Sequence, residues 1–271
     1  MLKTAPFIVL GAFIATGSLA SAARAQEVEI ENAVARVVMI PEDRADIQVT
    51  VDQGSAGLPP IEVRPRGDNV RIDGGLRRRI QNCRSEAFVA DPTQMPPGVR
   101  VTVREHGIVE MAQAPLIVIR TPMNVRVDAS GAIWGAIGRS SSAELGAGSC
   151  GDWSVANTEG DLSIAIGGSG DVRAGAARGL DVAIGGSGDV LVAAVDGPAD
   201  IAIGGSGSVR VYGGRASVLD VAVAGSGDVE FDGEVGDLSA VIAGSGDVRV
   251  QRVTGSIERT VLGSGDIRIG D

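Results

Sequence analysis

The sequence predicts an all-β chain wound as a right-handed, single-stranded parallel β-helix with coils of about 19 residues. Three observations point there. A Gly-Ser-Gly-Asp element recurs at nearly constant spacing, short apolar–polar alternations fall at the same place in each interval, and aromatic residues, at 3%, are too scarce to fill a wide core.

The repeat comes first, because periods of this length signal stacked architectures. The element stands at Gly168–Asp171, Gly186–Asp189, Gly205–Ser208, Gly225–Asp228, Gly244–Asp247 and Gly263–Asp266, with its serines 18, 19, 20, 19 and 19 residues apart. Cys150-Gly151-Asp152 lies 19 residues before Ser169 with Cys in place of Ser, and Ser130-Gly131 lies 20 earlier still. The register therefore covers eight units, from about Met123 to Asp271. Within each unit a five-residue alternation such as Leu180-Asp181-Val182-Ala183-Ile184 precedes the glycines, and a shorter one such as Val209-Arg210-Val211 follows. Period-2 alternation means a strand with one face inward. Two short strands plus turns make one coil, and coils stacked about 4.8 Å apart would span roughly 38 Å. Leu162, Leu180, Ala199, Leu219, Leu238 and Ile257 should form one interior stack, and Ile164, Val182, Ile201, Val221 and Ala240 the next. An antiparallel meander would not demand equivalent residues at a fixed period, and a propeller needs about 40 residues per blade.

Residues 26–122 alternate less regularly, as in Ile47–Val51, Ile61–Val63 and Val99–Val103, with breaks at Pro41, Gly57–Pro60, Gly74-Gly75 and Pro92–Gly98. They are expected to be longer coils and an N-terminal cap of the same solenoid, with a separate small β domain as the alternative. Residues 123–271 are expected to be the regular β-helix. Residues 1–25 read as a secretory signal: Lys3 is the basic start, Phe7–Leu19 the apolar stretch and Ala23-Arg24-Ala25 the cleavage site, leaving Gln26 first and no membrane anchor. The expected address is the periplasm or the cell surface. At the other end, Arg259 occupies the interior slot held by Ala240 one coil earlier, a charge that discourages further strand addition.

The formal charge is −10, and no Lys follows Lys3. That sign argues against nucleic acid and anionic lipid as partners. Export permits a disulfide between Cys83 and Cys150, the two cysteines; two buried free thiols are the other possibility. With a single histidine, His106, in a turn-like His-Gly context, neither a standard zinc site nor Ser-His hydrolysis is supported.

In the repeat, two glycines around one Ser suggest positive φ in a tight turn and close approach of coils, and the Asp suggests an acceptor for turn amides. The functional alternative is a carboxylate ladder of Asp171, Asp189, Asp228, Asp247 and Asp266 that binds calcium through oxygen ligands, interrupted at Ser208. Arg173, Arg210, Arg249 and Arg268 lie two residues beyond the repeat position and are expected to neutralise part of that row. Acids so evenly repeated do not form one irregular cluster, so no catalytic residue is assigned, and a polysaccharide-active enzyme is kept as an alternative only. Trp153 occupies a slot held elsewhere by Val172, Val190, Val209 and Val229 and should point inward; Trp134 should point outward and offer a contact surface.

The Gly-Ser-Gly-Asp-Val repeats, with Ile30–Val37, Ile72-Asp73-Gly74, Cys150–Trp153 and Val253-Thr254-Gly255, resemble the head GIN domain of autotransporter adhesins, a domain without assigned function. The resemblance covers essentially the whole of residues 26–271. It implies a right-handed β-helix on an exported protein and supplies no catalytic residues. No barrel-forming segment is expected after the helix, unlike in a true autotransporter. The resulting expectation is a non-enzymatic envelope module, adhesin-like or structural, whose partner is an envelope polysaccharide or protein, with a calcium-binding adhesive module as the alternative and no bound cofactor otherwise.

Overall fold

The computed structural model describes residues 26–148 and 150–270. The expected signal segment 1–25 and Asp271 lie outside the described residues. The N-terminal part contains β1 (Glu27–Glu42), β2 (Gln48–Asp52), β3 (Glu62–Arg66), β4 (Asn69–Asp73), β5 (Ile80–Arg84), β6 (Arg100–Val103), β7 (Gly107–Glu110), β8 (Leu116–Pro122) and β9 (Asn124–Ile137). There follow β10 (Ser142–Ala147), β11 (Trp153–Val155), β12 (Asp161–Ile166), β13 (Val172–Ala177), β14 (Gly179–Ile184), β15 (Val190–Val195) and β16 (Ala199–Ile203). The last are β17 (Val209–Val211), β18 (Arg215–Val223), β19 (Val229–Ile242), β20 (Val248–Val253), β21 (Ile257–Val261) and β22 (Ile267–Ile269).

These strands form a parallel β-solenoid of about eight turns. One face is the ladder β9-β10-β12-β14-β16-β18-β19-β21, parallel at every step. A second face is β9-β11-β13-β15-β17-β19-β20-β22, likewise parallel. A shorter third side joins Ala177 to Val195, Val195 to Gly214, and Ala216 to Val235.

The expected stacks are in register. Leu162 pairs with Leu180, Leu180 with Ala199, Ala199 with Leu219, Leu219 with Leu238 and Leu238 with Ile257. Ile164, Val182, Ile201, Val221 and Ala240 form the next stack, all buried. A coil alone would leave these side chains wet. Stacking removes them from water, at about 1.5–3 kcal/mol for each large aliphatic side chain. Trp153 points into the interior, 1% exposed, with its ring against Gly135 in the neighbouring coil. A Cβ at Gly135 would meet that ring at 2.3 Å, so the large and the small residue form one packing unit.

Upstream, β1 continues the solenoid. One side of it pairs in parallel with β9, and its other side pairs with β4 along its first half and with β8 along its second. β2 and β3 close this end by pairing antiparallel with β8 and β4. Residues 80–110 do not wind into a coil: β5, β6 and β7 form an antiparallel sheet of their own. Its second hairpin turns through Glu105 (φ 69°) and Gly107 (φ 79°), with His106 between them. This insert packs on the flank of the solenoid through a second apolar cluster that includes Leu76, Val99, Val101, Met111, Val34 and Trp134.

The opposite end is open. Ile257, Val261 and Leu262 are 49%, 40% and 67% exposed, although Leu238 and Ile242 one coil earlier are buried. Arg259 extends the Ala240 stack in this last strand and is exposed. Among the described residues no helix is long and apolar enough to cross a membrane.

Candidate functional site

The Gly-Ser-Gly-Asp arcs stack along one corner of the solenoid, and their chemistry is set by closeness to the next coil. The amide of Ser187 donates to the Gly168 carbonyl at 2.9 Å, and those of Ser206 and Ser226 donate to Gly186 and Gly205 at 3.0 Å. A Cβ at Gly170, Gly188 or Gly207 would stand 2.0–2.1 Å from a carbonyl oxygen of the preceding coil. Positive φ was expected at these glycines, and it is found only in part: Gly131, Gly151 and Gly263 adopt it, whereas Gly170, Gly188, Gly207, Gly227 and Gly246 do not. The residue type is required by backbone approach.

The repeat aspartates act as acceptors between coils. Asp171 Oδ1 accepts the Asp189 amide at 3.0 Å, and Asp189 Oδ1 accepts that of Ser208 at 2.8 Å. Ser208 Oγ accepts the Asp228 amide at 3.3 Å, and the row resumes with Asp228 to Asp247 and Asp247 to Asp266 at 2.8 and 2.9 Å. A hydroxyl oxygen does the same work at the interrupted position, which explains why Ser replaces Asp there. Among the described residues no group of three or more His, Cys, Asp or Glu side chains is arranged to hold a metal ion.

The arginine row does not neutralise the aspartates as a set. Arg268 pairs with Asp266 at 3.0 Å and lies 3.8 Å from Asp247. Arg210 instead pairs with Glu230 and Asp232, and Arg173 lies over the Phe88 ring, 4.1 Å from its centre. Long side chains reach whichever partner the outer surface offers, and the insert offers Phe88.

Trp134 points away from the solenoid interior, yet it is 1% exposed. Its role as a contact surface is corrected: the insert covers it. Beside it Asp152, 8% exposed, accepts the Val89 amide at 3.2 Å and the Asp171 amide at 3.4 Å. Burial pushes the Asp152 carboxyl above its usual pKa range; those two amides pull it down, as does the Trp134 indole N–H, which approaches outside good hydrogen-bond geometry. Ser154 Oγ donates to the Ala90 carbonyl at 2.6 Å, so the loop before β6 is fastened to the solenoid at several points. A disulfide joins Cys83 on β5 to Cys150 on the arc corner, with Cα atoms 6.3 Å apart.

Between β5 and the arcs runs a groove of about 620 Å³. Arg77, Gln81 and Asn82 line one wall, Gly168, Ser169 and Ser187 the other, and the disulfide lies along it. Arg77 has φ 44°, a left-handed backbone that is costly outside Gly and Asn. Sequence reasoning missed this groove. The available signal was Arg77-Arg78-Arg79 with Arg84, four cations and no acid within eight residues of a chain that carries −10 overall.

A second concavity of about 390 Å³ follows the first face past Asp181, Asp200 and Asp220, which stand in register. Burial, together with its two aspartate neighbours, raises the Asp200 pKa.

Residues 197–270 match the family model described as "Putative auto-transporter adhesin, head GIN domain". Among solved structures, a "putative lipid binding protein" from Parabacteroides distasonis ATCC 8503 is similar with a TM-score of 0.51 and 16% identity, covering 91% of this chain and 93% of that one. A "putative adhesin" from Bacteroides fragilis NCTC 9343 gives 0.47 and 14%, covering 90% and 92%. Among curated proteins no match to the chain is found.

Proposed function

We propose that the protein is an exported, non-enzymatic binding module of the cell envelope, working in the periplasm or at the cell surface, which holds an extended polymer along the groove between β5 and the glycine arcs. The carrying observation is the groove itself: an open, largely polar channel between two walls that a disulfide ties together. Its lining offers hydrogen-bond donors and one cation, and no nucleophile–base pair or carboxylate pair such as hydrolysis of a glycan would need. The adhesin description of the family matched by residues 197–270 supports a binding role.

The test is retention on immobilised envelope polysaccharide and envelope protein fractions, compared with a variant whose groove is filled by Ser169→Trp and Ser187→Trp. Retention of the parent without shortening of the polymer, and its loss in the filled variant, is the expected result. Equal retention of both proteins, or a depolymerised product, contradicts the proposal.

A further inference from the structure

The groove has one wall made from the rim of a sheet. In the order β5-β6-β7 the central strand is β6, so β5 has a neighbour on one side only. Its other side faces the channel, where four consecutive residues, Ile80 to Cys83, form the lining. Among the described residues, no backbone hydrogen bond joins Gln81, Asn82 or Cys83 to anything across that gap. A row of unpaired N–H and C=O groups beside an open channel is a template for one more strand.

Charge describes what that strand carries. Of Arg77, Arg78, Arg79, Arg84, Arg100 and Arg104, only Arg79 makes an ion pair among the described residues, with Glu105 at 3.7 Å. Arg84 and Arg100 stand directly opposite each other on β5 and β6, on the face turned away from the buried Val101 and Val103. Like charges in such a pair are destabilising, and an anion lying along the rim relieves them. Elsewhere several arginines are committed: Arg71 to Glu31, Arg126 to Glu144, Arg210 to Glu230 and Asp232. On a chain of net charge −10, this cationic rim is where an acidic guest is repelled least.

A polypeptide suits the site better than a sugar. Sugar-binding grooves stack rings on aromatic platforms, and both tryptophans here are buried, while none of the groove residues is aromatic. A strand rim supplies main-chain hydrogen bonds, which only another backbone returns in kind. From Ile80 to Arg84 the rim is roughly 13 Å long at the rise of a strand, room for a segment of about four residues, and Arg77 stands in the 3-10 turn just before it.

We infer that β5 captures an acidic, extended polypeptide segment as a fourth strand of the insert sheet, with Arg77 and Arg84 reading its carboxylates at either end. The inference rests on the groove being the binding site proposed above, and its test separates the two.

Fluorescence anisotropy with the full chain uses three probes: a peptide alternating glutamate with valine, the same peptide N-methylated at alternate amides, and an oligogalacturonate, which is anionic but has no backbone amides. The peptide binds; N-methylation weakens it roughly tenfold or more by deleting donors to the rim. The double variant Arg77→Glu, Arg84→Glu weakens it at least as much, while Arg249→Glu on the second face changes nothing. Circular dichroism checks that each variant is folded, and the N-methylated probe needs no variant at all. Equal binding of the methylated and parent peptides, or indifference to the double variant, overturns the strand-capture inference. If the peptide fails and oligogalacturonate binds in a manner lost in the double variant, the inference falls and the module reading stands. If neither polymer binds, both fall.

Discussion

At Gly188 a Cβ would stand 2.0 Å from the Gly170 carbonyl, whereas at Gly185 the nearest atom is 3.9 Å away. Two glycines three residues apart thus answer to different constraints. Gly188→Ala is expected to cost about 3 kcal/mol, since backbone must shift to admit the methyl group. Gly185→Ala should fall within about 0.5 kcal/mol of the parent. Urea unfolding of the pair measures the contrast, and similar midpoints would contradict the close-approach account. The aspartates allow an equally sharp comparison. Asp189→Asn keeps an acceptor for the Ser208 amide and should be nearly silent, while Asp189→Ala leaves that amide unpaired and should cost about 1 kcal/mol. Asp152 gives a pH signature. A carboxyl whose pKa is higher in the fold than in the unfolded chain takes up a proton on folding, so stability from this group falls as pH rises from its ordinary value through the raised one. Asp152→Asn should flatten that part of the stability–pH curve, and an unchanged slope would place the titration elsewhere. Asp73, Asp91 and Asp237, lowered by hydrogen bonds from nearby donors, act in the opposite sense and lose their contribution as pH falls.

The insert sheet is the element where sequence and structure part. Alternation at Arg100–Val103 shows that a strand has an inner and an outer face, but it is the same whether the neighbour runs parallel or antiparallel. In the repeat region the period supplied the missing direction, because Leu219 and Leu238 can pair in register only if coils stack the same way round. Residues 80–110 have no period, so their pairing was not legible. The covering of Trp134 was illegible for the same reason: Leu76, Val99 and Met111 come from positions that no repeat relates to it. The arc corner was legible in its acceptor role and only in part in its glycine conformation, which depends on how near the next backbone comes. The disulfide adds a covalent tie, across 67 residues of sequence, to the apolar and hydrogen-bonded contacts that hold the insert. Replacing both Cys83 and Cys150 by Ser should cost about 2–4 kcal/mol. Amide exchange should then quicken across β5–β7 while β14 and β16 stay protected; uniform loss of protection would mean the insert and solenoid unfold as one.

On the scale of the whole molecule, each coil touches little beyond its two neighbours, so the solenoid behaves as a one-dimensional stack. Removing residues 187–205, one full period, should leave a folded protein whose remaining ladders close up in register. Removing half a period should not, because every inward side chain beyond the cut would meet a mismatched partner. Circular dichroism and limited proteolysis distinguish the two deletions, and equal damage from both would mean the coils are not interchangeable units.

The joining of Cys83 to Cys150 also divides the molecule mechanically. A pull on the open end along the axis loads the rungs singly, so coils peel away in succession, each releasing about 60 Å of slack. The unravelling halts when it reaches Cys150, since beyond that point the thread is knotted by a covalent tie to the insert. A tether of this design yields under tension in even steps and gives up its guest late, because the groove wall at Gly168, Ser169 and Ser187 peels only just before the tie at Cys150 is reached.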